Sequence, residues 1–303
     1  MSAIGVIYNM KRILLSALML LAAALAAQAQ HQGLLISELL FQPPSGEAEY
    51  VELYNHGDAT VQLEDYHIVR VLHDTLAKHY PLPPHSLAPG AYVVLSKDIA
   101  SVMACYTVRD VSTLVECGLP TYPNDGGGVA LCTADSVLVD RLDYTPDMHS
   151  RLLRNKAGVS LERRSFDRPT AEKSNWYSAS SLAGYGTPGY VNSQSTECLV
   201  EEVAFALAST FLSPDGDGYQ DEAEITFTTA DEALMARVEV YDPRGRMVRR
   251  LLNNGLLGTH GTIVWDGRDE AGVIVPRGQY VINILVYDLG GERQTLRRVV
   301  AVL

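Results

Sequence analysis

Beyond about residue 30, apolar and polar positions alternate with a period of two instead of the 3.6 of a helix. In Glu49-Tyr50-Val51-Glu52-Leu53-Tyr54, Val51 and Leu53 point one way while Glu52 and the tyrosines point the other, which predicts a strand with one face on a core. Segments 91–95, 129–132 and 137–142 predict further strands. Asn124-Asp125-Gly126-Gly127-Gly128 is a turn entering one of them, since glycine reaches positive φ without a Cβ clash. A second series follows residue 203, with strands predicted at 223–228, 236–241, 247–252, 261–265, 279–287 and 295–303. Asp242-Pro243-Arg244-Gly245, Asp266-Gly267 and Leu289-Gly290-Gly291 separate these runs. Many short strands with almost no helical pattern bury their apolar faces as sandwiches. The expected fold is therefore all-β, two immunoglobulin-like β-sandwiches in tandem. Gly186-Thr187-Pro188-Gly189 closes the first series, and the polar run Asn192-Ser193-Gln194-Ser195-Thr196-Glu197 reads as a linker. These signals predict a first domain over 30–193, a linker over 194–202 and a second domain over 203–303.

The N-terminus adds a destination. Lys11 and Arg12 precede an apolar run over 13–27, and Ala27-Gln28-Ala29 supplies the small residues of a leader-peptidase site. A basic start, a short apolar stretch and an A-x-A site predict a cleavable signal peptide over 1–29, not a membrane span. Met10 sits directly before the basic pair and is read as the start of that leader. The first cysteine is Cys105, so a lipid anchor at the cleavage point is not expected. No other segment is long and apolar enough to cross a bilayer as a helix.

Charge narrows the partners. The 303-residue chain carries a formal net charge of -12, and loss of Lys11 and Arg12 with the leader makes the exported part more acidic still. Such a chain repels nucleic acid backbones and anionic lipid surfaces. Its densest basic stretch, 151–168, also holds Glu162 and Asp167 and reads as a solvated face. Nucleic acid is not an expected partner. Cys105, Cys117, Cys132 and Cys198 would meet an oxidising environment after export, where disulfides form. Cys105 with Cys117 closes a short loop and is the preferred single bridge, while the absence of C-x-x-C spacing argues against zinc.

Candidate chemistry is sparse. Asp215, Asp217 and Asp221 alternate with glycines as D-G-D-G-x-x-D. Calcium takes several carboxylate and carbonyl oxygens, and a glycine-rich loop can wrap them around one ion, with Glu222 as an added ligand. The alternative is an Asx turn leading into a strand, and Thr226 stands where an EF-hand would place its bidentate glutamate. His67, His73, His79 and His85 recur every six residues, but Pro81, Pro83 and Pro84 interrupt a continuous strand, so the spacing reads as coincidence and not as a metal site. Asp140, Asp143, Asp147 and His149 are the nearest thing to a hydrolytic metal cluster. The competing account is a strand edge and turn, and no G-x-S-x-G, H-E-x-x-H or P-loop is present. Trp176 and Trp265 are expected in the sandwich cores.

The first series resembles the lamin tail domain in its bacterial secreted form. The resemblance runs from Ile36-Ser37-Glu38-Leu39-Leu40 and Glu49-Tyr50-Val51-Glu52-Leu53-Tyr54-Asn55 through Leu87-Ala88-Pro89-Gly90-Ala91-Tyr92-Val93-Val94-Leu95. It continues with Val159-Ser160-Leu161-Glu162-Arg163, Ser174-Asn175-Trp176 and Gly186-Thr187-Pro188-Gly189-Tyr190-Val191-Asn192. It implies an immunoglobulin-like sandwich used for binding or attachment, often beside secreted hydrolases. The second series is similar to the immunoglobulin-like domain of flagellar hook-capping (FlgD-type) proteins and of gliding-motility or type 9 sorting domains. Phe211-Leu212-Ser213-Pro214-Asp215-Gly216-Asp217-Gly218, Val238-Glu239-Val240-Tyr241-Asp242, Trp265-Asp266-Gly267-Arg268-Asp269 and Pro276-Arg277-Gly278-Gln279-Tyr280 carry that resemblance. It implies a Bacteroidota source and a role in type 9 export or surface attachment. Sorting domains usually finish on a lysine-rich strand, whereas this chain has Arg297-Arg298 followed by Val299-Val300-Ala301-Val302-Leu303.

Together these readings predict an exported, non-enzymatic binding or structural protein, surface-held or extracellular and otherwise periplasmic. Its partner would be a protein or another cell-envelope component, the type 9 machinery included. A secreted metal-dependent hydrolase or nuclease, or its accessory subunit, is the competing class.

Overall fold

The computed structural model describes residues 33–72, 74–196, 203–229 and 234–303. The expected signal peptide, His73, Cys198 and most of the expected linker lie outside the described residues.

The chain is all-β, as expected. The first module opens with β1 (Leu34–Leu40), β2 (Tyr50–Asn55) and β3 (Val61–Gln62), then β4 (Tyr66–Leu72) and β5 (Thr75–Pro81). After β6 (Ser86–Leu87) and β7 (Tyr92–Ser96) comes the short helix α1 (Ile99–Cys105). Strands β8 (Leu114–Glu116), β9 (Gly127–Thr133), β10 (Leu138–Tyr144), β11 (Leu161–Arg163) and β12 (Trp176–Ser178) complete the module. A six-stranded sheet ordered β12-β11-β1-β2-β7-β8 packs on a four-stranded sheet ordered β10-β9-β4-β5. The period of two places Ile36, Val51, Leu53, Val93 and Leu95 on the inner face, with Ile68, Val129, Leu131 and Trp176 in the same core.

The outer face of the larger sheet is covered as well. Leu40, Tyr50 and Val94 on that side pack under Val102 of α1 and Tyr106 just after it. Helix α1 is capped by Asp98, whose Oδ1 accepts the Ser101 N–H at 3.1 Å. This double cover explains why the strands there carry few free polar positions.

The second module holds β13 (Ala204–Leu207), β14 (Phe211–Leu212), β15 (Ala223–Thr228) and β16 (Met235–Tyr241). It ends with β17 (Met247–Leu256), β18 (His260–Trp265), β19 (Gly278–Tyr287) and β20 (Arg293–Val302). A three-stranded sheet, β13-β15-β18, faces a five-stranded one, β14-β20-β19-β16-β17. Ile225, Phe227, Val238, Val240, Ile282, Ile284 and Trp265 fill the space between. Both tryptophans are core residues, and the Trp265 indole N–H is satisfied by the Arg268 carbonyl at 2.9 Å.

One expectation is corrected. The Cys105–Cys117 bridge does not form, and Cys105, Cys117 and Cys132 are all free thiols. Cys105 packs on the outer face of the six-stranded sheet and Cys117 against the inner core, so a layer of strand separates them. Burial pushes the Cys117 thiol up to about 11. The histidine spacing is broken as expected: His67 lies on β4 and His79 on β5, β5 ends at Pro81, and Pro83 and Pro84 separate it from His85, which lies in no strand.

Candidate functional site

The acidic loop of the second module is assembled by its own backbone. Asp221 Oδ1 accepts the Gly216 N–H at 2.6 Å and Oδ2 the Gly218 N–H at 2.8 Å. Asp217 Oδ1 accepts the Tyr219 N–H at 2.7 Å, and Asp215 Oδ1 the Asp217 N–H at 3.2 Å. These Asx bonds draw Asp215, Asp217 and Asp221 together, so that one carboxylate oxygen of each lies within 4.8 Å of the others. The donor set, three carboxylates on an open loop, suits a hard cation such as calcium. Both readings made from the sequence therefore describe the same loop, with Asx turns supplying the geometry of the trio.

The other spacings do not converge. Asp140 is buried and structural: its Oδ2 accepts the Ile36 N–H at 2.9 Å and faces Arg163 Nη1 at 3.3 Å. Asp143 projects to the exposed side and pairs with Arg141, which also holds Asp74 at 2.7 Å. His149 is buried, with Nδ1 2.9 Å from Ser178 Oγ, and desolvation lowers it to about 4, leaving it neutral. Among the histidines, His67 on β4 and His79 on β5 meet across the hairpin with Nδ1 atoms 3.4 Å apart. Among the described residues, Asp215, Asp217 and Asp221 form the one group of three or more metal-ligating side chains close enough to share an ion.

A second constellation was missed by sequence reading. Glu38 on β1 lies opposite both Glu162 on β11 and Glu52 on β2, so three carboxyl groups stand in a row across adjacent strands. All three are 0% exposed. The strap over them is the Gly186-Thr187-Pro188-Gly189 segment and its continuation to Ser195. Thr187 N–H donates to Glu38 Oε1 at 3.0 Å, Gly189 N–H to Glu52 Oε2 at 2.7 Å, and Gln194 N–H to Glu162 Oε2 at 2.9 Å. Tyr50 Oη donates to Glu38 at 2.6 Å, Ser193 Oγ to Glu162 at 2.8 Å, and Ser160 Oγ also donates to Glu38.

Thr187 Oγ1 lies between Glu38 Oε2 at 3.1 Å and Glu162 Oε1 at 2.8 Å. A hydroxyl has one proton to give, so a carboxyl must supply the proton for the other bond. Electrostatics agree. Desolvation first, and then the neighbouring carboxylate Glu38, raise Glu162 to about 8 and push Glu52 well up; burial also raises Glu38. Glu52 Oε1 is buried without a partner among the described residues. The usable signal was the glutamate recurring in otherwise apolar strand runs, at Glu38, Glu52 and Glu162. A period of two puts Glu52 and Glu162 on the outer face, whereas Glu38 reaches it through a bulge between Ile36 and Glu38, and no local pattern tells that a distant loop closes over them.

The strap also joins the modules. Thr259 N–H donates to the Ser193 carbonyl at 2.9 Å and Thr259 Oγ1 to the Ser195 carbonyl at 2.5 Å. Ser181 Oγ donates to the Leu256 carbonyl at 2.8 Å, and Gln194 Nε2 to the Leu257 carbonyl at 3.2 Å. Gly258 meets the strap so closely that a Cβ on it would lie 2.2 Å from the Ser193 carbonyl oxygen. Residues 193–195 are thus wedged between a buried carboxyl row and the second sandwich.

The lamin tail domain family model matches residues 27–146. Strands β11 and β12, with the strap, lie beyond that match yet complete its six-stranded sheet. No curated protein matches the chain. Among solved structures, FlgD from P. aeruginosa is 21% identical, covers 35% of this chain and 78% of its own, and has a TM-score of 0.24. Dimeric latent PorU from Porphyromonas gingivalis is 11% identical over 91% of this chain, with a TM-score of 0.27. PorZ, an essential surface component of the type-IX secretion system of the same organism, is 12% identical over 88% of this chain, with a TM-score of 0.24. The match spans 21% of the PorU chain and 30% of the PorZ chain.

Proposed function

With a lamin tail domain at residues 27–146, we propose that this chain is an exported, non-enzymatic binding and structural protein of the cell surface or extracellular space, its second module serving type 9 export or attachment. The observation that carries the reading is where the reactive side chains are spent. Asp140, Arg163 and His149 hold strands and turns together, and Glu38, Glu52 and Glu162 anchor the strap that clamps one module to the other. Two sandwiches fixed in tandem hold their end loops and outer strands in constant relative positions, which suits recognition of an extended partner. In this reading the acidic loop at Asp215, Asp217 and Asp221 takes calcium, which would stiffen the start of the second module.

The test is fractionation of cells producing the full chain and a form lacking residues 203–303. Surface or extracellular recovery of the full chain, lost on deletion, is the expected result. Unchanged delivery of the truncated form would remove export and attachment from the second module. Hydrolysis of nucleic acid or polysaccharide by the purified chain, abolished by Asp143→Ala, would replace the binding reading with the enzymatic one.

A further inference from the structure

Where the modules face each other they leave a cleft of about 570 Å³. One wall is first-module chain at Leu152, Arg154, Asn155 and Tyr185; the other is Asn253, Asn254 and Tyr287 of the second module. Asn254 and Tyr287 also line an adjoining recess of about 320 Å³, which holds Arg237 and Arg293. Arg154 thus lines the cleft and Arg237 and Arg293 the recess beside it, and no Asp or Glu lines either part among the described residues. Arg237 lies 3.8 Å from Glu239, a long contact to a carboxylate that Arg250 already holds at 3.0 Å. On its far side Arg293 borders the turn carrying Asp288 and Glu292. In a chain of net charge -12, a cleft and recess whose charged lining residues are all arginines run against the background.

The backbone points to the same place. Tyr185 and Asn254, from opposite walls, both adopt left-handed conformations, with φ of 68° and 51°. Asparagine tolerates that region, but a bulky tyrosine rarely enters it. Tyr185 is pinned there: its N–H donates to the Ser180 carbonyl at 2.9 Å, and its carbonyl accepts the Ser160 N–H at 3.0 Å. Local strain held by surrounding bonds is a feature of sites built for a ligand.

We propose that this cleft binds an acidic saccharide. Guanidinium forks take a carboxylate in two parallel hydrogen bonds. The amides of Asn155, Asn253 and Asn254 each offer donors and an acceptor to ring hydroxyls. Tyr185 and Tyr287, with Leu152, present apolar surface to the C–H face of a sugar ring. The cleft has room for a few sugar units, not for a long polyanion, which the net charge would repel.

This inference deepens the binding role proposed above, and the two fail separately, because a titration of purified protein does not depend on export. The probe is tetragalacturonic acid, titrated calorimetrically into the purified full chain at low ionic strength. Saturable binding is expected, weakened at least tenfold in Arg154→Gln/Arg293→Gln and unchanged in Arg244→Gln, an exposed arginine on the turn between β16 and β17. Arg154 and Arg293 are exposed, so an unaltered melting temperature will show that the double variant is folded. Equal affinity for a neutral galactose tetrasaccharide would overturn the proposal, as would an unaffected double variant. Equal affinity for tetraglutamate, or full competition by inorganic phosphate at comparable concentration, would reduce the cleft to charge capture and overturn it as well.

Discussion

Three glutamates in one row, covered by a strap of hydroxyls and amides, make the stability of this protein depend on pH in a definite direction. Glu162 sits at about 8 in the folded chain against an ordinary 4.5, and Glu38 and Glu52 are raised too. The folded state therefore holds protons that the unfolded state has released. The Glu162 contribution is complete below about pH 4.5 and is lost as pH rises through 8, and those of Glu38 and Glu52 are likewise lost on the alkaline side. His149 acts at the other end. Lowered from 6.5 to about 4, it contributes stability above 6.5 that is lost as pH falls through 4. Melting temperature against pH should peak on the mildly acidic side, with an alkaline limb that flattens in Glu162→Gln. Superimposable alkaline limbs for the two proteins would show that the carboxyl row is not the cause. Asp140→Ala leaves Arg163 buried and unpaired and should cost about 3–5 kcal/mol. Asp143→Ala, on the exposed side, should stay within about 0.5 kcal/mol, and denaturant titration of both variants checks the contrast. The residue types showed glutamates in apolar runs but not their burial. A glutamate beside Val51 and Leu53 reads as solvent-facing until the loop that covers it is known.

At the scale of elements, the loop from Ser213 to Asp221 makes two separable predictions. Asp221 organises the loop through Gly216 and Gly218, so Asp221→Ala should loosen it even without metal, seen as faster amide exchange at those glycines. Asp215 and Asp217 are exposed. If calcium binds, adding it should raise the melting temperature, a chelator should reverse the rise, and Asp215→Asn/Asp217→Asn should abolish it. No heat and no thermal shift on titration would leave the Asx turns as the whole account. Strands with strict alternation, such as β15 and β19, were legible because one face meets a core and the other meets water. Helix α1 was not legible: its seven residues are too few to show a 3.6 period, and only Ser101 and Val102 are buried. The Asp98 cap was its one local signal, and Asp98→Ala should cost about 1 kcal/mol.

For the whole molecule, the junction is the feature with mechanical consequence. Backbone carbonyls at Leu256, Leu257, Ser193 and Ser195 are all engaged across it. Gly258→Ala would drive a methyl group into the Ser193 carbonyl, with no flexible side chain to yield. The expected outcome is separate melting of the two sandwiches and a broader distance distribution in solution scattering, while each module keeps its own strand signal. A single transition and unchanged scattering would mean that the contact is dispensable. The proposed saccharide cleft depends on this junction, since its two walls come from different modules.

The sequence by itself determined the all-β class, two sandwich modules, the strand faces and the lamin tail resemblance. The first three rest on local periodicity and turn chemistry, which are written in neighbouring residues, and the resemblance on short motifs that recur in order along the chain. Tertiary structure alone decided which polar side chains are buried, that Cys105 and Cys117 stand on opposite faces of a sheet, and that 193–195 is a buried wedge. The carboxyl row and the arginine-lined cleft belong to that second group. Both bring together residues far apart in the chain, Glu38 with Glu162 in one and Arg154 with Arg293 in the other. No spacing rule connects such residues, because their proximity is set by how strands order in a sheet and how two modules dock.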